Sequence, residues 1–128
     1  MTDNKNVHIL IIEDDTFLSN IYKTKFDMEG FKISTSENGE VGLADVKKKK
    51  PDIILLDILL PKMDGFAVLE ALKADAEVKN IPVILLTNLG QKDDVEKGLE
   101  LGAVDYLIKA HFKPSEVVDK VKKVLKLK

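Results

Sequence analysis

A doubly wound α/β fold built on a parallel sheet is predicted by three features of the 128 residues. Short runs rich in Ile, Val and Leu recur five times, at 7–12, 31–35, 52–56, 82–86 and 105–108. Between these runs the apolar period changes from that of strands to that of helices. The runs are largely uninterrupted rather than alternating, which marks a sheet covered on both faces.

Each run and the segment after it make one βα unit. The first run stops at Glu13-Asp14-Asp15, and in the following helix Leu18, Ile21, Tyr22, Lys25 and Phe26 share a face, with Gly30 past its end. Asp15 is expected to cap this helix. The second run leads through Asn38, a favoured N-cap, into a helix ending in Lys47-Lys48-Lys49-Lys50. Cations there suit the helix dipole and are solvated by water, which outranks a nucleic-acid patch. The third run stops at Asp57, and Asp64 starts the next helix; the fourth ends in Thr87, and its helix finishes before Gly102. The fifth contains Tyr106 and ends in Lys109. Ser115 is predicted to start the last helix, where Val117, Val118, Val121, Val124 and Leu125 form the buried side. Lys120, Lys122, Lys123, Lys126 and Lys128 are predicted to decorate its outer face.

Length and composition narrow the function. The chain fits one domain, residues 1–128 with a core from about 7 to 127, and no output module is expected in the roughly 19 residues after Lys109. No apolar run approaches a bilayer span, and the polar start at 1–6 has no signal-peptide character, so a cytoplasmic location and no membrane contact are expected. The absence of cysteine excludes disulfides, thiolate catalysis and thiolate metal sites. A net charge of −2 gives no global field that would draw nucleic acid.

In doubly wound sheets, ligands bind beyond the carboxyl ends of the strands. Four strands here deliver polar groups to that edge: Glu13 and Asp14, Asp57, Thr87 and Lys109. Crowded carboxylates repel one another and raise a pKa unless a cation sits among them. An all-oxygen donor set with few carboxylates favours Mg²⁺, for which Mn²⁺ can substitute. With the Lys109 ammonium and the Thr87 hydroxyl added, the natural guest is a phosphoryl group, and Asp57 is the best-placed nucleophile for an aspartyl phosphate.

These residues resemble the CheY-like receiver domains of bacterial response regulators. The likeness rests on I-L-I-I-E-D-D at 9–15, D-I-I-L-L-D-I-L-L-P-K-M-D-G at 52–65, P-V-I-L-L-T at 82–87 and G-A-V-D-Y-L-I-K at 102–109. The resemblance implies a flavodoxin-like (βα)5 fold with strand order 2-1-3-4-5, and a phospho-acceptor signalling protein rather than a metabolic enzyme. It makes Asp57 the phosphorylated residue, and Asp14, Glu13 and the backbone carbonyl of Leu59 the further partners of Mg²⁺. Thr87 would bind the phosphoryl oxygen, Lys109 would pair with it, and Tyr106 would change rotamer in response. The implied partners are a histidine kinase or phosphotransfer protein upstream and an unknown downstream protein on the face of residues about 90–127.

One departure from that family is Ala110, where receivers carry Pro in a cis peptide. A cis bond before Ala costs several kcal/mol, so a trans bond or an altered loop is expected. That would bring His111 toward the site, where an inert exposed histidine is the favoured reading; on the same resemblance Lys62 and Asn88 lie near the site and would tune phosphate loss. A haloacid-dehalogenase-like phosphatase would need a second acid two residues after its nucleophile, and position 59 is Leu. A degenerate receiver acting only as a binding module is opposed by Glu13, Asp14, Asp57, Thr87 and Lys109 together. Neither G-x-G-x-x-G nor G-x-x-x-x-G-K-[ST] occurs.

Overall fold

The computed structural model describes residues 4–127, so the polar lead at 1–3 and Lys128 lie outside it. Five strands, β1 (His8–Ile12), β2 (Lys32–Ser36), β3 (Ile53–Leu56), β4 (Val83–Thr87) and β5 (Asp105–Ile108), pair in parallel in the order β2-β1-β3-β4-β5. Five helices alternate with them: α1 (Thr16–Met28), α2 (Gly39–Lys49), α3 (Gly65–Lys73), α4 (Lys92–Glu100) and α5 (Pro114–Val124). The expected class and strand order are both found. A 3₁₀ turn at Asn4–Asn6 precedes β1.

Strand periodicity sorts the apolar side chains between two layers. Ile9, Ile11, Ile53, Leu55, Ile84 and Leu86 pack with Tyr22 and Phe26 of α1 and with Val117, Val118 and Val121 of α5. Their neighbours Leu10, Ile12, Ile54, Leu56, Val83 and Leu85 pack with Val46 of α2 and with Val68, Leu69 and Leu72 of α3. Every residue of β3 and β4 is buried, as uninterrupted apolar runs require. The two edge strands are the exceptions: only Ser36 of the five residues of β2 and only Leu107 of the four of β5 are buried.

Helix ends follow their local chemistry. Asp15 caps α1, its carboxylate accepting from the N–H groups of Phe17 at 3.0 Å and Leu18 at 3.2 Å. Asn38 and Asp64 cap α2 and α3 in the same way. Gly30 and Gly102 follow helices with φ of +90° and +109°, a region that a Cβ disfavours. Replacing Asp15 by Ala should therefore cost about 1 kcal/mol of stability, read as a lower urea midpoint at unchanged slope.

Three expectations are corrected. α5 begins with Lys113 as N-cap and Pro114 at its first position, not at Ser115. Proline's fixed φ suits a first turn, and the Glu116 carboxylate accepts the Lys113 N–H at 2.8 Å. The buried face of α1 carries Ser19, Tyr22 and Phe26, while Ile21 is 37% exposed because it turns toward a cavity rather than the core. Lys122 does not lie on the outer face of α5; it pairs with Glu29 at 2.9 Å, tying α5 to the end of α1.

Candidate functional site at the strand ends

Strand register builds the site. Ile12 lies beside Leu56, so the residues that follow them, Glu13 and Asp57, emerge as neighbours. The Asp57 N–H donates to the Ile12 carbonyl at 3.0 Å and the Glu13 N–H to the Ser36 carbonyl at 2.9 Å, which continues the ladder past the strands. This is the point between β1 and β3 where strand order reverses, the usual location of a ligand in such sheets. On the other side Thr87 pairs in register with Ile108, which brings Lys109 to the same edge.

Carboxylate oxygens of Glu13, Asp14 and Asp57 lie within 4.8 Å of one another. Glu13 and Asp57 are only 4% and 5% exposed, whereas Asp14 faces solvent. The Lys109 ammonium reaches both buried groups, lying 2.6 Å from Asp57 Oδ2 and in contact with Glu13 Oε1. The other oxygens accept backbone N–H groups, Asp57 Oδ1 from Leu59 at 3.2 Å and Glu13 Oε2 from Asp15 at 3.1 Å. Burial pushes the Glu13 carboxyl above its ordinary range, against the lowering hydrogen bonds from Lys109 and Asp15. Burial alone would lower Lys109, but its bonds to Asp57 and Glu13 prevail and raise it. One ammonium cannot balance three carboxylates, and the donors are all oxygen, so the residues fit a hard divalent cation.

Thr87 is fully buried at the end of β4, and its hydroxyl accepts the Leu89 N–H at 3.3 Å. The Tyr106 hydroxyl donates to the Leu89 carbonyl, so the backbone of Leu89 is held from both sides. Burial, with Asp94 and Asp57 adding to it, pushes the Tyr106 phenol up to about 12. Sequence reasoning named Thr87 and Tyr106 but missed Leu89, whose part is played by backbone groups that any residue carries.

Gly65 was also missed as a packing residue. A Cβ there would lie 2.3 Å from the Asp57 carbonyl oxygen and 2.6 Å from Ile58 Cα, so only glycine lets α3 start against the Asp57 backbone. Its N–H donates to the Ile58 carbonyl at 2.8 Å, which closes the loop after β3. Gly65→Ala should cost roughly 2–3 kcal/mol, because the obstructing atoms are backbone, and should misplace Asp57. Gly90→Ala, where the nearest atom is Ile108 Cδ1 at 3.3 Å, is the milder comparison in thermal unfolding.

No cis peptide occurs among the described residues; Lys109–His111 form a 3₁₀ turn. Ala110 thus leaves the Lys109 contacts in place. Asn88 and Ala110 line a cavity beside Lys109, His111 is exposed, and Lys62 is exposed with φ of +73°.

Fold and site together define a doubly wound α/β protein with a cation-ready acidic pocket and a buried lysine at the sheet's switch point. The model of the response regulator receiver domain family matches residues 9–122, and the chain belongs to that family, the receivers of two-component signalling systems. It is similar to the DNA-binding dual master transcriptional regulator RpaA of Synechocystis sp. (strain ATCC 27184 / PCC 6803 / Kazusa), 39% identical over 118 residues that cover 92% of this chain and 48% of that protein. The chain spans about half the length of the curated relatives it matches. Among solved structures, the receiver domain of the Francisella response regulator 1452 superposes with a TM-score of 0.87 at 30% identity, covering 94% of this chain and 98% of that one. The signal receiver domain of a signal transduction histidine kinase from Syntrophus aciditrophicus reaches 0.85 at 34% identity, covering 94% and 90%. No helix among the described residues is long and apolar enough to cross a membrane.

Proposed function

We propose that Asp57 accepts a phosphoryl group from the phosphohistidine of a histidine kinase or phosphotransfer protein, in a Mg²⁺-dependent reaction that switches a partner-binding surface. The observation that carries this reading is the gathering of Glu13, Asp14 and Asp57 within 4.8 Å around the reach of the Lys109 ammonium.

One Asp57 oxygen forms a bond to phosphorus as the bond from phosphorus to the donor's imidazole nitrogen breaks, and the electron pair leaves on the ring. The Leu59 N–H and Lys109 orient the carboxylate from its two oxygens, so little reorganisation precedes attack. Lys109 then turns to the transferred oxygens and the Thr87 hydroxyl donates to another. Glu13, Asp14, Asp57 and the Leu59 carbonyl would hold Mg²⁺, with Mn²⁺ a substitute; when bound, the ion adds positive charge beside the transferring phosphoryl oxygens. The domain catalyses its own modification and the hydrolysis that ends it, and turns over no separate substrate.

The switch follows from the shared backbone of Leu89. As the Thr87 hydroxyl turns to the phosphoryl group it releases the Leu89 N–H, which shifts the segment held by Tyr106 and biases a two-state equilibrium. The surface that changes is built from residues near 90 to 127, and a downstream protein reads it. The 128 residues act as one receiver unit, and direct nucleic-acid contact is no part of its role at a net charge of −2.

The test is intact mass after incubation with acetyl phosphate. A gain of one phosphoryl group that needs Mg²⁺ and maps to the peptide carrying Asp57 is expected. Folded protein that gains no mass would show a binding module without phosphoryl transfer.

A further inference from the structure

Glu13 leaves the sheet from a peptide that is gripped on both sides. The carbonyl of Ile12 accepts the Asp57 N–H at 3.0 Å, and the N–H of Glu13 donates to the Ser36 carbonyl at 2.9 Å. The first grip is backed by β3, a central strand whose four residues are all buried. The second comes from the last residue of β2, an edge strand with little burial of its own. Few buried contacts make such a strand end the easier one to open. Ser36 is nevertheless 2% exposed, and its hydroxyl donates to Asp45 Oδ2 on α2 at 2.7 Å. A hydrogen bond to a carboxylate is about twice as strong as one between neutral groups. α2 is itself seated close to this point, because Gly42 lies against the Ile12 side chain, where a Cβ would come within 2.7 Å of Ile12 Cδ1. Asp45 therefore ties the loose strand end to a helix that is already packed on β1.

We propose that Asp45 is a positioning residue for the cation site: through Ser36 it fixes the peptide before Glu13, and so holds the Glu13 carboxylate where it can share a divalent ion with Asp14 and Asp57. The inference rests on the proposed role of these three carboxylates in holding Mg²⁺. Asp45 is not one of the clustered groups. It acts two hydrogen bonds away, first through the Ser36 hydroxyl and then through the Ser36 carbonyl. The Glu13 carboxylate is already claimed by the Lys109 ammonium and the Asp15 N–H. A backbone shift of about half an ångström changes how its oxygens divide between these partners and an ion. Without Asp45 the end of β2 is free to move, and the peptide before Glu13 is held from the β3 side alone.

The experiment is calorimetric titration of the full chain with Mg²⁺ alone, with no phosphodonor present. Asp45→Ala should weaken binding by about tenfold, the lower end of what losing a partner behind a metal ligand costs. Asp45→Asn keeps an oxygen that accepts the Ser36 hydroxyl and should stay within about twofold of the wild type. Ser36→Ala should match Asp45→Ala, and the double variant should bind no more weakly than either, since both break one link. Val121→Ala, which opens a cavity in the core beneath α5, controls for lost stability: it should lower the melting temperature and leave Mg²⁺ affinity unchanged. Wild-type affinity in Asp45→Ala, no rescue by Asp45→Asn, additive losses in the double variant, or an equal loss in Val121→Ala overturns the inference and leaves the proposed function standing. A wild type that binds no Mg²⁺ overturns it together with the proposed cation site.

Discussion

Asp57→Asn is expected to take up no phosphoryl group from acetyl phosphate under conditions that label the wild type to completion, while folding to the same structure. A carboxamide has the shape of a carboxylate and still accepts the Leu59 N–H, but it is not a nucleophile at neutral pH. Stability without a divalent ion should stay within about 1 kcal/mol of the wild type, because two effects oppose. The variant loses the ion pair from Lys109 to Asp57, yet it removes one of three crowded carboxylates and leaves Lys109 with Glu13. The response to Mg²⁺ should separate the two proteins. An ion present at a hundredfold over its Kd stabilises the wild type by about 2.7 kcal/mol, and a site short of one carboxylate should gain far less. Intact mass and thermal unfolding with and without Mg²⁺ check both parts. Full labelling at another residue, or equal stabilisation of both proteins, would refute the assignment.

Lys109→Gln carries the largest structural penalty. It strands two buried carboxylates, Glu13 and Asp57, and removing one partner from a buried ionic cluster typically costs about 3–5 kcal/mol. Labelling should also slow by about 10²–10³, the usual loss when one preorganised donor to a developing charge is deleted. The pH dependence has a definite sign. Glu13 already sits above its ordinary value because of burial, and Lys109 is the first group holding it down. Without the lysine the carboxyl rises further. A carboxyl raised in the folded state contributes stability below its ordinary value and loses it as pH rises through the folded value. The variant should therefore regain stability as pH falls from 8 toward 5. Lys109 in the wild type is raised by its two partners, so its contribution holds through neutral pH and fades only at alkaline pH, above the ordinary lysine value. Urea unfolding at pH 8 and at pH 5.5 measures the difference. A variant as stable as the wild type at pH 8, or one that weakens on acidification, would contradict this account.

Much of the architecture was legible because it is encoded locally. Uninterrupted runs such as Ile53–Leu56, too short for a helix and bounded by polar residues, read as strands covered on both sides, and Asp15, Asn38 and Asp64 announce helix starts through their own side chains. Where two local signals competed, the reading could err. Ser115 is a favourable cap, but Pro114 one residue earlier is better in a first turn than anywhere else in a helix. Ile21 and Lys122 were assigned by periodicity alone, which gives a face its angle but not its neighbours. Ile21 borders a cavity and Lys122 meets Glu29, 93 residues away in the chain.

The residues of the site were visible in the sequence for the same reason. A carboxylate that abruptly ends an apolar run, as Asp57 does, is unlike a core residue and unlike a loop residue, and so are Glu13, Thr87 and Lys109. What they do to one another was not visible. The contact of Lys109 with Glu13 spans 96 residues and exists only because β1, β3, β4 and β5 end at one edge in a particular register. The approach of Gly65 to the Asp57 backbone, the grip of Thr87 and Tyr106 on Leu89, and the cavity beside Ala110 depend likewise on how loops fold back over that edge. The sequence by itself determined the elements, the caps of α1, α2 and α3 and the chemistry placed at the strand ends, because each follows from side chains a few residues apart. Tertiary structure alone decided which oxygen meets which cation and where space remains beside them, because those depend on distances between segments that only packing brings together.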